Sequence, residues 1–396
     1  MVLFVIASLL PAILIAAGAI LGGIWPPVAL LGGVPLALLL DGAGLRAPAE
    51  RAAPHLVKGL TLGLGLLHLA LVPVSVIGIT TLLPGQPLAA AALFLAAGTY
   101  FGQVANANAH ELVHMGSRRA RRLGASVYSA LLFGHHDSAH RLVHHVYVAS
   151  DRDPNSARTG ESFYAFWPRA WIGSFLEGLR AVNRQRAKAA TPQRLGTHPY
   201  IGYGLISLVI LTLSALFAGW TGIAVWVVLC LFAQAQLLLA DYVQHYGLRR
   251  AVLADGSLEP VSERHSWNAP QVYTAAMMLN APRHSDHHMH PGRSFPELRL
   301  NRDTMPVLPA SLPAMAFVAL LPPIWRQQMD PLVEDWHSSA SARRTDPDAA
   351  LTRARQAAQR HGAPRRDLPH SVHASSLSDS PHPAEHPPRD GGDTVS

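Results

Sequence analysis

Charge is scarce in this 396-residue chain: 14% of the residues are Asp, Glu, Lys or Arg, while 49% are hydrophobic. That balance excludes an ordinary soluble domain of this size and points to a protein embedded in a bilayer. Cysteine is scarcer still. Cys230 stands alone, so a disulfide framework and a cysteine-bound iron–sulfur or rubredoxin-type centre within the chain are both excluded. Any redox chemistry must therefore draw electrons from another protein. The first apolar segment lacks a basic start and a small-residue cleavage site, so it reads as a spanning helix that turns back at Gly22, Gly23 and Pro26, not as a signal peptide. Internal repeats are absent.

What is present is a series of apolar runs. Residues 2–23, 24–41, 59–83, 87–109, 200–219 and 221–241 are nearly free of charge, and most are around 20 residues long, about what a helix needs to cross the hydrocarbon layer. The expected fold is all-α: a polytopic membrane protein of six transmembrane helices, with cytoplasmic helical blocks carrying a di-metal site. Its boundaries are 1–336 for the membrane domain and 337–396 for a disordered tail rich in Ser, Ala, Arg, Asp, Pro and His. The net charge of +7 raises the question of nucleic acid, but its placement answers otherwise. Arg46, Arg51 and Lys58 follow the second run, and Arg118, Arg119, Arg121 and Arg122 follow the fourth, whereas the 80–86 and 219–221 connections carry no charge. The positive-inside rule then places both termini and all the histidine clusters in the cytoplasm, with no nucleic-acid partner.

Nine histidines fall in four clusters, each just past the end of an apolar run. They are His110 and His114 in HELVH, His140, His144 and His145 in HRLVHH, His245 in QHYG, and His284, His287 and His288 in HSDHH. On an α-helix, residues four apart share a face, so His110 pairs with His114 and His140 with His144, with His145 about 100° round. HExxH alone would suggest a zinc protease, but three ligands suffice there and seven clustered histidines would be left unexplained. Nine imidazoles suit two ions of four or five ligands each; spacing does not choose between iron, copper, zinc and nickel. Glu111, Asp137, Asp241 and Asp286 are placed to accept N–H bonds from ligands and orient them, the alternative for each being a helix cap or surface ion pair. His135, His136, His265 and His290 are candidate outer-shell residues. His68, mid-segment, lines a substrate path or packs the helices; Cys230 reads as packing.

The motifs resemble a family. AHRLVHHVYVASDRDPNSARTGES (139–162), DYVQHYGL (241–248), RHSWN (264–268), RHSDHH (283–288) and LPPIWRQQMDP (321–331) are similar to the membrane-bound alkane 1-monooxygenases, within the wider histidine-rich membrane desaturases and hydroxylases. The resemblance implies a non-haem di-iron centre, two Fe ions, bound by His110, His114, His140, His144, His145, His245, His284, His287 and His288, with Glu111, Asp286 and Gln244 in support. It also implies O₂-dependent terminal hydroxylation of medium-chain n-alkanes, electrons from a separate rubredoxin and its reductase, and a place in the inner membrane. The chemistry is consistent: an unactivated alkyl carbon has no acidic proton or leaving group, so general acid–base chemistry cannot attack it, whereas a redox metal that activates O₂ can abstract the hydrogen and return a hydroxyl.

The chain departs from the pattern at Gln244, where alkane-oxidising members have Glu. An aromatic methyl-group hydroxylase of the xylene or cymene type is therefore the nearest alternative, with a fatty acid desaturase further off. A metal transporter is the non-enzyme alternative. It would place its ligands near the bilayer midplane, not beyond the segment ends.

Overall fold

The computed structural model describes residues 1–44, 52–191 and 193–345. Helices α1 (Val2–Leu21), α4 (Pro54–Leu82), the run Pro87–His114 and α11 (Pro199–His245) are long and apolar enough to cross a membrane. A backbone in lipid must satisfy its own polar groups, and these runs do so as helices. Among the described residues there is no strand beyond isolated bridges. The chain is a multi-pass, all-helical membrane protein.

By length and composition four helices qualify as spans, or five if a bent pair counts as one, against the six runs that hydropathy predicts. The second run is a bent pair, α2 (Trp25–Leu31) and α3 (Val34–Gly42), meeting at 41°, because Gly32 and Gly33 interrupt it and Pro35 enters α3. It is entered through Gly22 and Gly23, both at positive φ, as expected of a turn there. The fifth and sixth runs form one element, α11, broken at Gly219, whose φ of 59° and ψ of −153° are non-helical. In a straight helix Ser207 and Trp226 would stand on the order of 28 Å apart. Instead Ser207 Oγ donates to the carbonyl of Ser129 at 2.9 Å and Trp226 Nε1 to that of Ala130 at 3.0 Å. The chain doubles back at Gly219, giving two arms.

The fourth run extends further than hydropathy indicates. It comprises α5 (Pro87–Tyr100), a π-helical turn (Phe101–Ala105) and α6 (Asn106–His114), so His110 and His114 ride on the end of a spanning helix. α7 (Arg118–Ala130) packs back on α6 and on α11. It ends where Leu132 takes a positive φ, followed by α8 (His135–Ala139), a second π-helical turn (His140–His144) and the short α9 (His145–Tyr147). α10 (Phe163–Ala187), α12 (Tyr273–Met277), α13 (His284–Met289), α14 (Leu312–Ala319) and α15 (Pro322–Thr345) complete the fold. α15 continues past the expected boundary at 337; the rest of the tail, 346–396, lies outside the described residues.

Candidate metal centre

Four segments deliver imidazoles to one place. α6 brings His110 and His114, the α8–α9 segment brings His140, His144 and His145, the end of α11 brings His245, and α13 brings His284, His287 and His288. They sort into two groups, each with ligand atoms within 4.8 Å of one another: His110, His114, His140, His145 and His287 in the first, His144, His245, His284 and His288 in the second. The groups adjoin, with the His145 and His288 rings 4.6 Å apart.

The sorting corrects one expectation. The rings of His140 and His144 do stand side by side, 5.1 Å apart, but His140 groups with His145, their Nε2 atoms 2.9 Å apart, and His144 falls in the other group. The π-helical turn contributes to this: its wider winding carries the fifth residue, far round in an α-helix, back toward the face of the first, so that His145 can meet His140. α13, an ordinary helical turn, splits as its spacing dictates. His284 and His288 share the second group, with Nε2 atoms 3.0 Å apart, while His287 reaches His145 at 3.2 Å.

These side chains have the electronic state a cation needs. His110, His114 and His144 each keep a buried Nε2 without a hydrogen-bond partner, an arrangement that folded proteins otherwise avoid. Burial first, and neighbouring imidazoles second, hold His140, His145, His284, His287 and His288 well below the ordinary histidine range. They are neutral lone-pair donors at neutral pH, and the set fits transition-metal ions.

His144 differs. Burial opposes its charge, but Asp153, paired with His144 Nδ1 at 2.8 Å, outweighs burial and raises it, while Asp153 is itself held below its usual range. A metal must therefore displace a proton from His144 and from few of its neighbours. We expect Zn²⁺ loading of metal-free protein to release the His144 proton and to weaken as pH falls over the interval in which His144, raised above the ordinary histidine range, takes up that proton. Calorimetry in buffers of differing ionisation enthalpy checks this, and an affinity flat across that interval would contradict it.

Asp153 was not singled out by motif spacing, although it lies within the 139–162 block. It also accepts from Ser156 Oγ at 2.7 Å and from the Asn155 backbone at 3.1 Å, while Asn155 Nδ2 donates to Asp241 at 2.7 Å. Asn268, the end of RHSWN, is a second such residue: its Oδ1 accepts from Ser285 N–H at 2.9 Å, holding the first turn of α13. Trp267 Nε1 donates to the Tyr246 carbonyl at 2.9 Å, which ties the same motif to the segment after His245. In LPPIWRQQMDP, Trp325 packs on Tyr242 and Tyr246, and Asp330 accepts from the Tyr246 hydroxyl at 2.6 Å.

The acids named from sequence have other contacts. Glu111 accepts from Phe295 N–H at 3.3 Å. Asp286 takes Arg293 and His290, at 2.6 and 3.0 Å, and the backbone N–H of Arg299. Asp137 pairs with Arg141 and the Tyr203 hydroxyl. Gln244 donates to the Ala281 carbonyl at 3.2 Å and lines a cavity shared with His110, His136, His140 and His284. His136 stacks on Phe133, His135 approaches Ser174, and His265 lies near Ser262 and Glu259. His68 bonds the Tyr100 hydroxyl at 2.9 Å inside the helix bundle, and Cys230 is buried in α11.

Residues 86–319 match the family model for fatty acid desaturases. The chain is similar to alkane 1-monooxygenase 1 of Pseudomonas aeruginosa, 34% identical over 62% of this chain and 64% of that protein. It is similar to the alkane 1-monooxygenase of Ectopseudomonas oleovorans, 33% identical over 77% of each chain. A more distant likeness, 26% over 63% of this chain, is to the xylene/toluene monooxygenase hydroxylase component of Pseudomonas putida. The chain thus spans just under two thirds of the length of the first of these relatives.

Proposed function

We propose, for a chain that belongs to the fatty acid desaturase family and within it to the alkane 1-monooxygenases, that it hydroxylates the terminal carbon of medium-chain n-alkanes with O₂. The observation that carries this reading is the cavity against the histidines. It lies between the π-helical turn, α6 and the second arm of α11, with Leu239, Met278, Leu312 and Ala316 among its walls and His110, His140 and His284 at the metal-binding side. An apolar substrate partitions into the bilayer, and this placement sets its reacting end beside the imidazoles.

The two groups of five and four histidines would hold two iron ions. Bound iron would supply the redox chemistry that an unactivated C–H bond requires. The protein's own contribution is positional: neutral imidazoles present lone pairs, Asp153 fixes the ring of His144 through Nδ1, and Asn268 sets the start of α13. The apolar walls keep bulk water from the reacting carbon. Cys230 is buried and solitary, which supports electron delivery by a separate iron–sulfur protein of the rubredoxin type with its reductase. The basic residues after α6 support a site facing the cytoplasm from the inner membrane.

Product analysis under ¹⁸O₂, with n-octane and p-xylene and a rubredoxin/reductase supply, tests the reading. Labelled 1-octanol in excess is the expected result. Labelled methylbenzyl alcohol in excess would favour the aromatic branch, to which Gln244 and the xylene-oxidising relative lend weight. No labelled product from iron-loaded enzyme would return the desaturase reading.

A further inference from the structure

Between Asp303 and Arg326 the chain carries no charge, yet Pro306, Pro309, Pro313, Pro322 and Pro323 keep the stretch from forming a span. Its helix, α14, has 8 residues and so covers about 12 Å, well short of the hydrocarbon layer. The two faces of this stretch differ. Leu312, Pro313 and Ala316 line the cavity beside the histidines. Phe317 points the other way and is 69% exposed, and Leu321 and Ile324 follow it, both exposed, at helical spacing. A contiguous apolar stripe of this kind marks an interface, and its neighbours say which. α14 packs on α11 and α15, and Trp325 at the end of the stretch meets Tyr242 of α11 with ring centroids 5.4 Å apart. The second arm of α11 exposes Val228 and Leu231 inside a membrane-crossing helix, so the stripe prolongs a lipid-facing surface toward the histidines. Two exposed aromatics accompany it. Tyr164 donates its hydroxyl to the Leu320 carbonyl at 2.9 Å, and Trp171 Nε1 donates to Gln234 Oε1 of α11 at 2.8 Å. Rings of this kind gather where acyl chains meet headgroups.

The cavity meets that surface. On one side of the second arm of α11 the first π-helical turn is seated closely, since a Cβ on Gly102 would lie 2.7 Å from Gln236 Cβ. On the other side α14 packs on α11 but, among the described residues, makes no comparable packing with the π-helical turn or α6. Gln103, Gln236, Ala240 and Ala316 border this gap: all four line the cavity and all are half-buried. The two amides bond each other at 3.1 Å, which lessens the cost of holding them at the depth of lipid. We propose that α14 lies in the bilayer leaflet on the histidine side, with Phe317, Leu321 and Ile324 against acyl chains. The gap between α14 and the first π-helical turn is then the mouth through which the cavity takes an apolar chain from that leaflet. A hydrocarbon on this route leaves acyl chains for Leu239, Met278 and Leu312 without passing through water. What the mouth admits rests on the hydroxylase reading above; where α14 lies does not.

Two measurements on the full chain in lipid nanodiscs test this, and neither needs turnover. Cys230 is buried, so a nitroxide can be directed to Phe317→Cys or Ile324→Cys, with Val252→Cys, on an exposed turn after α11, as the comparison. Dissolved O₂ should relax the labels at 317 and 324 more than a water-soluble nickel chelate does, with the reverse order at 252. Chelate access at 317 and 324 equal to that at 252 would put α14 in water, and screening from both reagents would mean that protein covers the stripe; either overturns the proposal. The mouth is tested with a decane analogue carrying a diazirine, photolysed after brief dark incubation, with the labelled residues read by mass spectrometry. Ala316→Trp should lower labelling of Leu239, Met278 and Leu312 by about tenfold, the scale of forcing a large side chain into a packed gap. Bound metal should stay unchanged, and Phe317→Trp, on the outer face, should label as the wild type does. Ala240→Trp repeats the test from the opposite wall if the first variant fails to accumulate. Recovery of cavity labelling on long incubation upholds a narrowed mouth. A loss that persists would mean a filled cavity, and undiminished labelling in both variants would put entry elsewhere; each overturns the mouth. An enzyme that gives no hydroxylated product would sink the hydroxylase reading and leave both measurements to decide this one.

Discussion

His287→Ala should abolish hydroxylation and lower bound iron by about half, because the histidines form two groups and this change strikes one of them. His287 is the one member of the five-histidine group that comes from α13; the rest come from α6 and the α8–α9 segment. Its Nε2 lies 3.2 Å from that of His145, and its ring centroid is 4.3 Å from His110. Its removal therefore takes away the link that closes the first group against α13 and leaves the second group, His144, His245, His284 and His288, complete. The loss should exceed the roughly 10–100-fold in metal affinity that deletion of an outer-shell partner costs. His290→Ala is the matched control. Its ring turns away to Asp286 and is 48% exposed, so iron content should stay at the wild-type level. Elemental analysis of the purified variants, with activity measured beside it, decides. Full iron and full activity in His287→Ala would remove this residue from the ligand set.

Much of this was legible in the chain because membranes and metals both impose simple rules. Runs of apolar residues must become helices in lipid, and α1, α4 and α11 lie where hydropathy draws them. The nine histidines were separable from the others because each lies beside another at a helical interval or at the end of an apolar run. Their partition was not legible. Placing His140 and His144 in one group assumes an α-helix throughout, and HRLVHH carries no mark of the π-helical turn that helps His145 meet His140. Gly219 was legible only as a connection without charge; that the reversal leaves no loop at all follows from one non-helical residue. Asp153 and Asn268 were hidden for another reason. Each sits in a stretch rich in small polar residues, which reads as turn sequence, and their roles depend on rings and helix ends brought from elsewhere in the chain. The one signal that marked them was the motif they belong to.

Asp153→Ala is the second large effect, and it separates support of a ligand from ligation itself. The carboxylate is buried, and it holds His144 Nδ1 at 2.8 Å, Ser156 Oγ at 2.7 Å and the Asn155 N–H at 3.1 Å. Removing it leaves those donors unpaired and frees the ring of His144 to turn. Loss of one partner from a buried pair costs about 3–5 kcal/mol, and loss of an outer-shell acceptor weakens metal binding by roughly 10–100-fold. The expected result is a lower melting temperature in detergent and a second metal that binds weakly, with the first group still loaded. Asp153→Asn keeps an acceptor of the same shape without the charge, so it should recover much of the stability. It should also change the pH dependence. In the metal-free wild type the pair stabilises the fold only while His144 is protonated and Asp153 ionised. That contribution is lost as pH rises through the raised value of His144, and lost again as pH falls through the depressed value of Asp153. The Asn variant has no such window, so its melting temperature should vary less across it. If the wild type and Asp153→Asn show the same pH profile, the ion pair contributes nothing to stability. If Asp153→Ala binds metal as tightly as the wild type, the carboxylate does not position His144.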